Sequence, residues 1–449
     1  MEVLQKMNQA VEQYKDSILA AERHIWNNPE SGYREWKTHA YMKEQFETLG
    51  YCVTEVGNIP GFYVDVDTGV PGPKLAIFAE MDSLIVPSHP ECDPKTGAVH
   101  ACGHHAQCAA LLGVATGLKA PGVLNGLSGS IRLIVVPAEE GIEIEYRRSL
   151  KEQGVIRYYS GKLEFLSRGI LNGVDLAMMV HTSATKGITC IRGANGCMIK
   201  EAVFLGRSAH AGGSPHLGIN ALYAANIAMN ASNALRETFR EKDTIRFHPI
   251  ITNGGSAVNA IPDRVTVESY LRGATMEAIQ SENEKINRAF AGAAVAMGCG
   301  LEIRDTHGFA PRFYPARFRQ TARDAALMVV PESEVTFTEN WGTGCSDIGD
   351  ISQVMPAIHP TAGGAVGTSH GSDYYITDPY YACVVSAKFQ LATIVRLLEK
   401  GAQETKEIIA DFVPAYPSIS AFLEAVDQLN FEGSVVSYQE DGSVLIQYK

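Results

Sequence analysis

Apolar residues recur at helical spacing through the first part of the chain. The positions that share one helical face are Val11, Tyr14, Ile18, Ala21 and Ile25. A second periodic run covers residues 38–49 and stops at Gly50, a residue type common just beyond the end of a helix. The chain is therefore predicted to open with two helices.

After residue 51 the pattern changes to short apolar runs bounded by polar residues. These runs cover residues 61–66, 75–78, 131–136 and 176–180. The runs at 131–136 and 176–180 are typical of strands buried on both faces of a sheet. A helix is predicted over 106–118, and the α/β pattern resumes after Pro311 with a helix near 386–400. This part of the chain is predicted to be an α/β domain.

A different unit is predicted between Gly193 and Gly308. Its order is strand 197–205, helix 218–236, strand 244–252, strand 264–271, helix 276–297 and strand 301–306. This β-α-β-β-α-β order suits a small ferredoxin-like sandwich, and the glycines at its ends are expected hinges. The predicted domains are 1–193 with 310–400, the inserted 194–309, and a C-terminal extension, 401–449, that carries a helix and a hairpin.

The composition limits the kinds of partner and the cellular compartment that we expect for this protein. The 449 residues carry a net charge of −12 without a basic patch, which argues against nucleic acid or an anionic membrane as partner. The amino terminus lacks a secretory layout, and no apolar run is expected to reach the ~18 residues of a membrane span. Nine cysteines without a disulfide framework indicate reduced thiols or metal ligands. A cytoplasmic location is expected.

Residues with catalytic potential follow three of the predicted strands. They are Glu80, Asp82, Glu139, Glu140 and His181. The stretch His100–Cys108 adds three histidines and two cysteines within nine residues. Ligands of open α/β sheets bind outside the carboxyl ends of the strands, so these side chains are candidates for one shared site.

The chemistry of these groups favours a metal site over its alternatives. Singly, a buried thiol near a histidine or a pair of glutamates is usually structural, but imidazole, thiolate and carboxylate together hold divalent ions. Glu140 can then bind metal while Glu139 takes a proton from water. A nucleophilic Cys102 would need one histidine base and an orienting Asn or Asp. Here the thiol lies among excess histidines and acids, so the ligand role is favoured and the nucleophile stays an alternative.

Seven short motifs follow one another in a particular order. They are PESGYRE at 29–35, EMD at 80–82, HACGH at 100–104, PAEEG at 137–141, SAHA at 208–211, NAIP at 259–262 and GTSH at 367–370. In this order they resemble the metal-dependent aminoacylase and carboxypeptidase family over about residues 10–400. The Cys-Gly-His form is similar to its amidohydrolase branch of hippurate, auxin-conjugate and aminobenzoyl-glutamate hydrolases. The stretch Cys345–Ser352 most resembles the last of these.

The resemblance implies a two-domain α/β fold, in which a mixed-sheet, zinc-peptidase-like catalytic domain carries an inserted ferredoxin-like α+β lid and dimerisation domain. It also implies two divalent metal ions, zinc or manganese, because thiolate favours the first and the carboxylate and imidazole set tolerates the second. The implied ligands are the bridging Cys102 together with His104, Glu140, His181 and His370. Glu139 would be the general base, and Asp82 would orient a ligand.

In the inserted domain the resemblance implies three further roles. His210 would stabilise the oxyanion, reaching the active site across a homodimer, and Asn259 and Arg272 would bind the free carboxylate of the substrate. From the sequence alone, each of the three also fits an ordinary turn, strand end or surface position. The predicted activity is hydrolysis of N-acyl or N-aroyl amino acids. The alternatives are a dipeptidase of the same fold and a metal-binding or peptide-binding member without turnover.

Two positions depart from the family pattern. The family has Asp directly after Gly-His, where this chain has His105, and Asp where this chain has Glu80. His105 could alter the surroundings of the metal or compete as a ligand, so metal identity and substrate range stay open. His100 and Cys108 are assigned structural roles.

Overall fold

The structure is a computed structural model that describes residues 2–448. The chain forms two compact units. The first comprises the chain up to Gly193 together with Phe313–Trp341 and Ser346–Ile419. The second comprises Ala194–Arg312, Gly342–Cys345 and the chain from Ser420 onward. Each unit encloses its own hydrophobic core.

A mixed sheet forms the centre of the first unit. Its strands, in spatial order, are Thr54–Glu55, Phe62–Asp67, Ser130–Val136, Lys74–Glu80, Leu176–Met179 and Ala357–Ile358. Lys74–Glu80 lies parallel to both of its neighbours. The side chains of these central strands are almost all buried, as their uninterrupted apolar runs predict. Parallel strands end at the same edge of a sheet, so the acids that follow them in the sequence come together.

Short strands connect the main elements of the first unit. Leu84–Ile85 pairs with Ala98–Val99, and Ala365–Val366 pairs with Tyr375–Ile376. A further small sheet consists of Val335–Phe337, Ile188–Cys190, Thr361–Ala362 and His181–Thr182. Three additional short strands stand at the points where the chain passes from one unit to the other: Gly193–Ala194, Arg312–Phe313 and Trp341–Gly342.

Helices cover the sheet of the first unit. They are Glu2–Gln13, Lys15–Trp26, Trp36–Thr48, His104–Leu118, Ile144–Glu152, Gly161–Ser167, Ala316–Ala326, Ile348–Ser352, Ser386–Leu398 and Gln403–Asp411. The predicted first helix is two helices, because Tyr14 leaves the helical conformation with φ −100° and ψ 4°. The break lets both segments pack against His104–Leu118, whose residues are all buried. The chain therefore opens with three helices rather than two.

One helical segment corrects the expectation about apolar length. Tyr380–Leu398 is long and apolar enough to cross a membrane, and 83% of the segment's apolar window is buried inside the fold. It begins with a π-helical turn, Tyr380–Val385, and continues as Ser386–Leu398. Burial of this kind is the behaviour of a core helix.

The second unit is an antiparallel sheet with helices. The strands are, in order, Arg246–Phe247, Arg264–Gly273, Gly196–Leu205, Gly300–Phe309, Phe431–Tyr438 and Val444–Ile446, with Ile250–Asn253 also pairing with Arg264–Gly273. The helices are Ala221–Leu235, Met276–Met297 and Ile419–Leu429. The β-α-β-β-α-β order is present, and the strand predicted at 244–252 is divided into two short strands.

The end of the chain differs from the predicted separate extension. Gln403–Asp411 belongs to the first unit, whereas Phe431–Tyr438 pairs with Gly300–Phe309 in the second. Val435 and Val436 are fully buried in the second core. The strand therefore covers an edge of the inserted sheet that would otherwise present unpaired backbone groups.

Candidate metal centre and active site

Two parallel strands place the acids at one edge of the first sheet. Glu80 ends its strand opposite Val136, so the residues that follow both strands are neighbours. Ala138 then adopts a left-handed conformation with φ 58°. Its N–H donates to Glu35 Oε1 at 2.8 Å, and its carbonyl accepts from Gly161 N at 3.1 Å. This held turn directs the next two residues, Glu139 and Glu140, to buried positions.

Gly103 positions the second part of the site. It adopts a left-handed conformation, with φ 97°, immediately before the helix His104–Leu118. A Cβ at this position would lie 2.5 Å from Tyr374 Oη and 3.0 Å from Thr182 Cβ, so only glycine fits. Cys102 is consequently buried beside the first turn of the helix, and His104 is buried within that turn.

The five predicted metal ligands lie together with Glu139. Cys102 Sγ lies 3.4 Å from His181 Nε2, and His370 Nε2 lies 3.4 Å from Glu140 Oε1. His370 stands on a loop fixed by a hydrogen bond from its own N–H to Ala101 O at 2.9 Å. Ligand atoms lie within 4.8 Å of one another in three overlapping groups: Cys102, His104 and His181; Cys102, Glu140 and His370; and His104, Glu139 and Glu140.

Asp82 holds two of these residues. His104 Nδ1 lies 2.9 Å from its carbonyl oxygen and 3.1 Å from Oδ1, and Glu140 N–H donates to Oδ2 at 2.8 Å. Burial opposes the charge of Asp82, but these hydrogen bonds and the His104 ring outweigh it and lower its pKa to about 2. The contact orients the imidazole so that Nε2 faces the ligand cluster.

The electrostatics of the cluster fit divalent cations. Burial and the charges of Glu80 and Glu140 raise the pKa of Glu139 well above its usual range, and burial raises that of Glu140. Within residues 2–448, the buried atoms His104 Nε2 and Glu140 Oε1 make no hydrogen bond of normal geometry, although they lie 3.2 Å from Glu80 Oε2 and 3.4 Å from His370 Nε2. Concentrated buried carboxylates and unsatisfied ligand atoms are costly unless a cation compensates them.

Cys102 fits the ligand role better than the nucleophile role. Burial, with the charge of Glu140, raises the pKa of its thiol far above the usual range. A thiol of this kind is unreactive on its own, whereas a coordinated cation stabilises the thiolate.

His105 is directed away from the cluster. Its Nε2 lies 3.1 Å from Glu22 Oε1, and its ring centroid lies 5.0 Å from that of Trp26. His105 belongs to none of the ligand groups found within residues 2–448. Cys108 Sγ donates to Glu80 O at 3.0 Å, which is a structural contact. The geometry therefore does not support competition by His105 for metal.

A buried ammonium group was missed by the sequence analysis. Lys162 Nζ forms ion pairs with Glu80 and with Asp347, the latter at 2.5 Å, and its backbone N–H donates to Asp347 Oδ2 at 3.0 Å. Gln107 Nε2 donates to the other oxygen of Glu80 at 2.8 Å. Glu80, Glu139 and Asp347 form a further acidic group, and Lys162 provides positive charge there. No sequence pattern predicts that Lys162, the single lysine of the helix Gly161–Ser167, occupies this position.

The remaining predicted residues belong to the second unit. His210 Nδ1 accepts from the backbone N–H groups of Gly212 and Gly213 at 3.1 and 2.8 Å, so Nε2 carries the proton in the neutral ring. Ala211 N–H donates to Asn259 O at 2.9 Å, which brings the loops of His210 and Asn259 together. Arg272 lies on Arg264–Gly273 and donates to Thr343 O at 3.2 Å.

Comparison with known proteins shows what the chain is similar to. Residues 190–297 match the M20 peptidase dimerisation domain. Human Xaa-Arg dipeptidase is 27% identical over 378 residues, which cover 78% of each chain. A p-aminobenzoyl-glutamate hydrolase polypeptide of Escherichia coli is 27% identical over 311 residues, 68% of this chain and 60% of that protein. A Bacillus subtilis structure, described as a dinuclear metal binding peptidase from the M20 family, has a TM-score of 0.66 at 21% identity, covering 86% of this chain and 98% of that one. The chain is therefore similar to M20 peptidases and carries a match to their dimerisation domain.

These matches confirm the resemblance and the α/β fold with an M20 dimerisation domain. The two relatives are named as a dipeptidase and an amide hydrolase. The individual site residues remain predictions.

Proposed function

We propose that this chain is a metal-dependent hydrolase that cleaves the amide bond of N-acyl or N-aroyl amino acids, for which p-aminobenzoyl-glutamate is the representative substrate. The position of Glu139 beside the ligand cluster carries the proposal, because it supplies a proton acceptor where water and amide would meet. Support also comes from Enterobacter agglomerans indole-3-acetyl-aspartic acid hydrolase, 27% identical over 354 residues, 66% of this chain and 76% of that protein.

The proposed cofactors are two divalent ions, zinc or manganese. The residues that would hold them are Cys102, His104, Glu140, His181 and His370. When bound, such ions lower the pKa of water and polarise the amide carbonyl. A thiolate between two imidazoles favours zinc, and the carboxylate content tolerates manganese.

Glu139 would move the proton during the reaction. Its carboxylate is buried, so little bulk water competes for it. It would accept a proton from the attacking water and return it to the leaving amine. Asp82 would assist by accepting Nδ1–H of His104, which keeps the Nε2 lone pair available for metal.

The second unit would recognise the developing charge and the substrate carboxylate. His210 Nδ1 accepts hydrogen bonds from two backbone N–H groups, so Nε2–H is the donor that the exposed neutral ring presents. A developing oxyanion is stabilised by such a donor. Asn259 lies on the loop that is hydrogen bonded to the His210 loop through Ala211. Asn259 and the planar guanidinium of Arg272 would bind the free carboxylate of the substrate.

The proposal includes a cytoplasmic homodimer. The dimerisation-domain match supports self-association. Large apolar side chains are exposed on Ala221–Leu235 and Ile250–Asn253 of the second unit, among them Tyr223 and Ile250 at 59% and 60% exposure. Exposed apolar groups of this size favour a protein interface. The nine cysteines without a disulfide framework in the sequence support the cytoplasm.

A dipeptidase is the second candidate, favoured by the identity to human Xaa-Arg dipeptidase. Metal-reconstituted protein should be assayed with p-aminobenzoyl-glutamate, hippurate, acetyl-amino acids and dipeptides. Faster turnover of acyl-capped or aroyl-capped substrates supports the proposal. A requirement for a free α-amine would transfer the assignment to the dipeptidase.

Glu139→Gln tests the catalytic role directly. We expect kcat to fall on the order of 10²–10⁴-fold, the usual contribution of a general base, while metal content stays near wild type. Glu145→Gln is the control, because Glu145 is exposed and forms a surface ion pair with Arg148. Loss of metal from Glu139→Gln would instead identify Glu139 as a ligand, and unchanged kcat would remove its assigned role.

A further inference from the structure

Two free cysteines meet in the second unit. Cys197 lies at the start of the strand Gly196–Leu205 and is buried, whereas Cys345 lies in the segment Gly342–Cys345 and is half-buried. Their side chains are hydrogen bonded to each other. The proposed hydrolysis uses neither thiol.

Three hydrogen bonds hold the loop that carries Cys345. Asn195 N–H donates to Gly342 O at 3.0 Å, Arg272 donates to Thr343 O at 3.2 Å, and Arg312 donates to Gly344 O at 3.4 Å. Arg272 is also the cross-strand neighbour of Cys197. The loop therefore runs beside the start of the strand, which brings the two sulfur atoms together.

The two thiols have different surroundings. The hydrogen bond with Cys197 and the charges of Arg272 and Arg312 lower the pKa of Cys345. The same hydrogen bond and burial raise the pKa of Cys197 well above its usual range. A more accessible thiolate beside a buried thiol is the arrangement in which the first reacts with an external disulfide and the second resolves the product.

We propose that Cys197 and Cys345 are a thiol–disulfide exchange site. Reaction with a small-molecule disulfide, such as oxidised glutathione, converts these two thiols into an intramolecular disulfide. The Cys345 thiolate attacks one glutathione sulfur and expels a glutathione thiolate, giving a mixed disulfide. Cys197 loses its proton to solvent and attacks the Cys345 sulfur, which expels the second glutathione. The protein loses two electrons and two protons, and the oxidised glutathione becomes two thiols.

The disulfide has an expected effect on substrate binding. It fixes the loop whose Thr343 carbonyl accepts from Arg272. Because Arg272 is the proposed carboxylate binder, we expect a change in KM for carboxylate-bearing substrates with little change in kcat. This consequence rests on the proposed function, whereas formation of the disulfide does not.

The test uses the full chain, reduced and then incubated with oxidised glutathione, blocked with iodoacetamide and mapped by mass spectrometry. We expect a Cys197–Cys345 linked peptide that dithiothreitol reverses. Cys197→Ser should stop at a Cys345–glutathione adduct, and Cys345→Ser should leave Cys197 reduced. Cys299→Ser, in the hydrophobic core of the second unit, is the control and should form the link normally.

Two results would overturn the exchange site. One is a persistent glutathione adduct at Cys345 in the wild-type chain, and the other is an unmodified Cys345 under conditions that modify the exposed Cys52. If Cys197→Ser does not fold, the wild-type map and Cys345→Ser decide the question. A linked peptide with unchanged KM would overturn the coupling to Arg272.

Discussion

At the scale of single residues, the candidate metal ligands were accessible from the sequence and the charges beside them were not. Cys102, His104 and Glu140 are of chemically distinctive types and stand in motifs at or near strand ends. Lys162 has meaning only beside Asp347, which lies 185 residues away in the chain. Such a pair depends on which distant segments pack together, and periodicity carries no information about that.

Lys162 is expected to be essential for stability. Lys162→Met would leave the buried carboxylates of Glu80 and Asp347 without their cation, and losing one partner of a buried ion pair costs about 3–5 kcal/mol. The measurement is guanidinium unfolding of metal-loaded protein.

Lys186→Met is the matched control for that measurement. Lys186 is 84% exposed in its ion pair with Glu334, and exposed pairs contribute about 0–1 kcal/mol. Equal effects of the two substitutions would contradict a special role for Lys162. Adding Glu80→Gln and Asp347→Asn to Lys162→Met should recover part of the loss, because the unpaired charges are then removed.

At the scale of elements, the type of each segment was more predictable than its partner. The apolar runs gave the central strands of the first sheet, because burial on both faces requires apolar side chains at every position. The attachment of the C-terminal hairpin was missed, since its pairing with Gly300–Phe309 is a non-local contact. The break at Tyr14 was missed because helical periodicity continues on both sides of it.

The C-terminal hairpin is expected to be part of the inserted sheet's stability. Deleting residues 431–449 removes the buried Val435 and Val436, each worth roughly 1.5–3 kcal/mol of burial, and uncovers the edge of Gly300–Phe309. We expect a lower thermal midpoint and concentration-dependent aggregation, measured by calorimetry and light scattering.

A shorter deletion is the control for this effect. Removing residues 439–449 takes away Val444–Ile446, whose side chains are all exposed, and keeps Phe431–Tyr438 in place. It should change the midpoint much less. If both deletions behave alike, edge coverage by Phe431–Tyr438 is not what stabilises the sheet.

At the scale of the whole molecule, the predicted catalytic groups divide between two units. Metal ligands and Glu139 belong to the first, and His210, Asn259 and Arg272 belong to the second. The ordered motifs predicted the resemblance to M20 peptidases. They left the preferred acyl group open, because the walls of a substrate pocket come from loops whose sequences follow no general code.

This division permits a test of whether His210 acts across a homodimer. Glu139→Gln and His210→Ala are each expected to be inactive alone. In a heterodimer, one active site would combine the intact Glu139 of the His210→Ala chain with the intact His210 of the Glu139→Gln chain. The other site would contain both substitutions and stay inactive. Purified heterodimers should therefore recover roughly half of wild-type activity. The measurement is kcat of doubly tagged, purified heterodimers beside both parent homodimers. Verified heterodimers without activity would show that His210 does not act across the dimer in the way proposed.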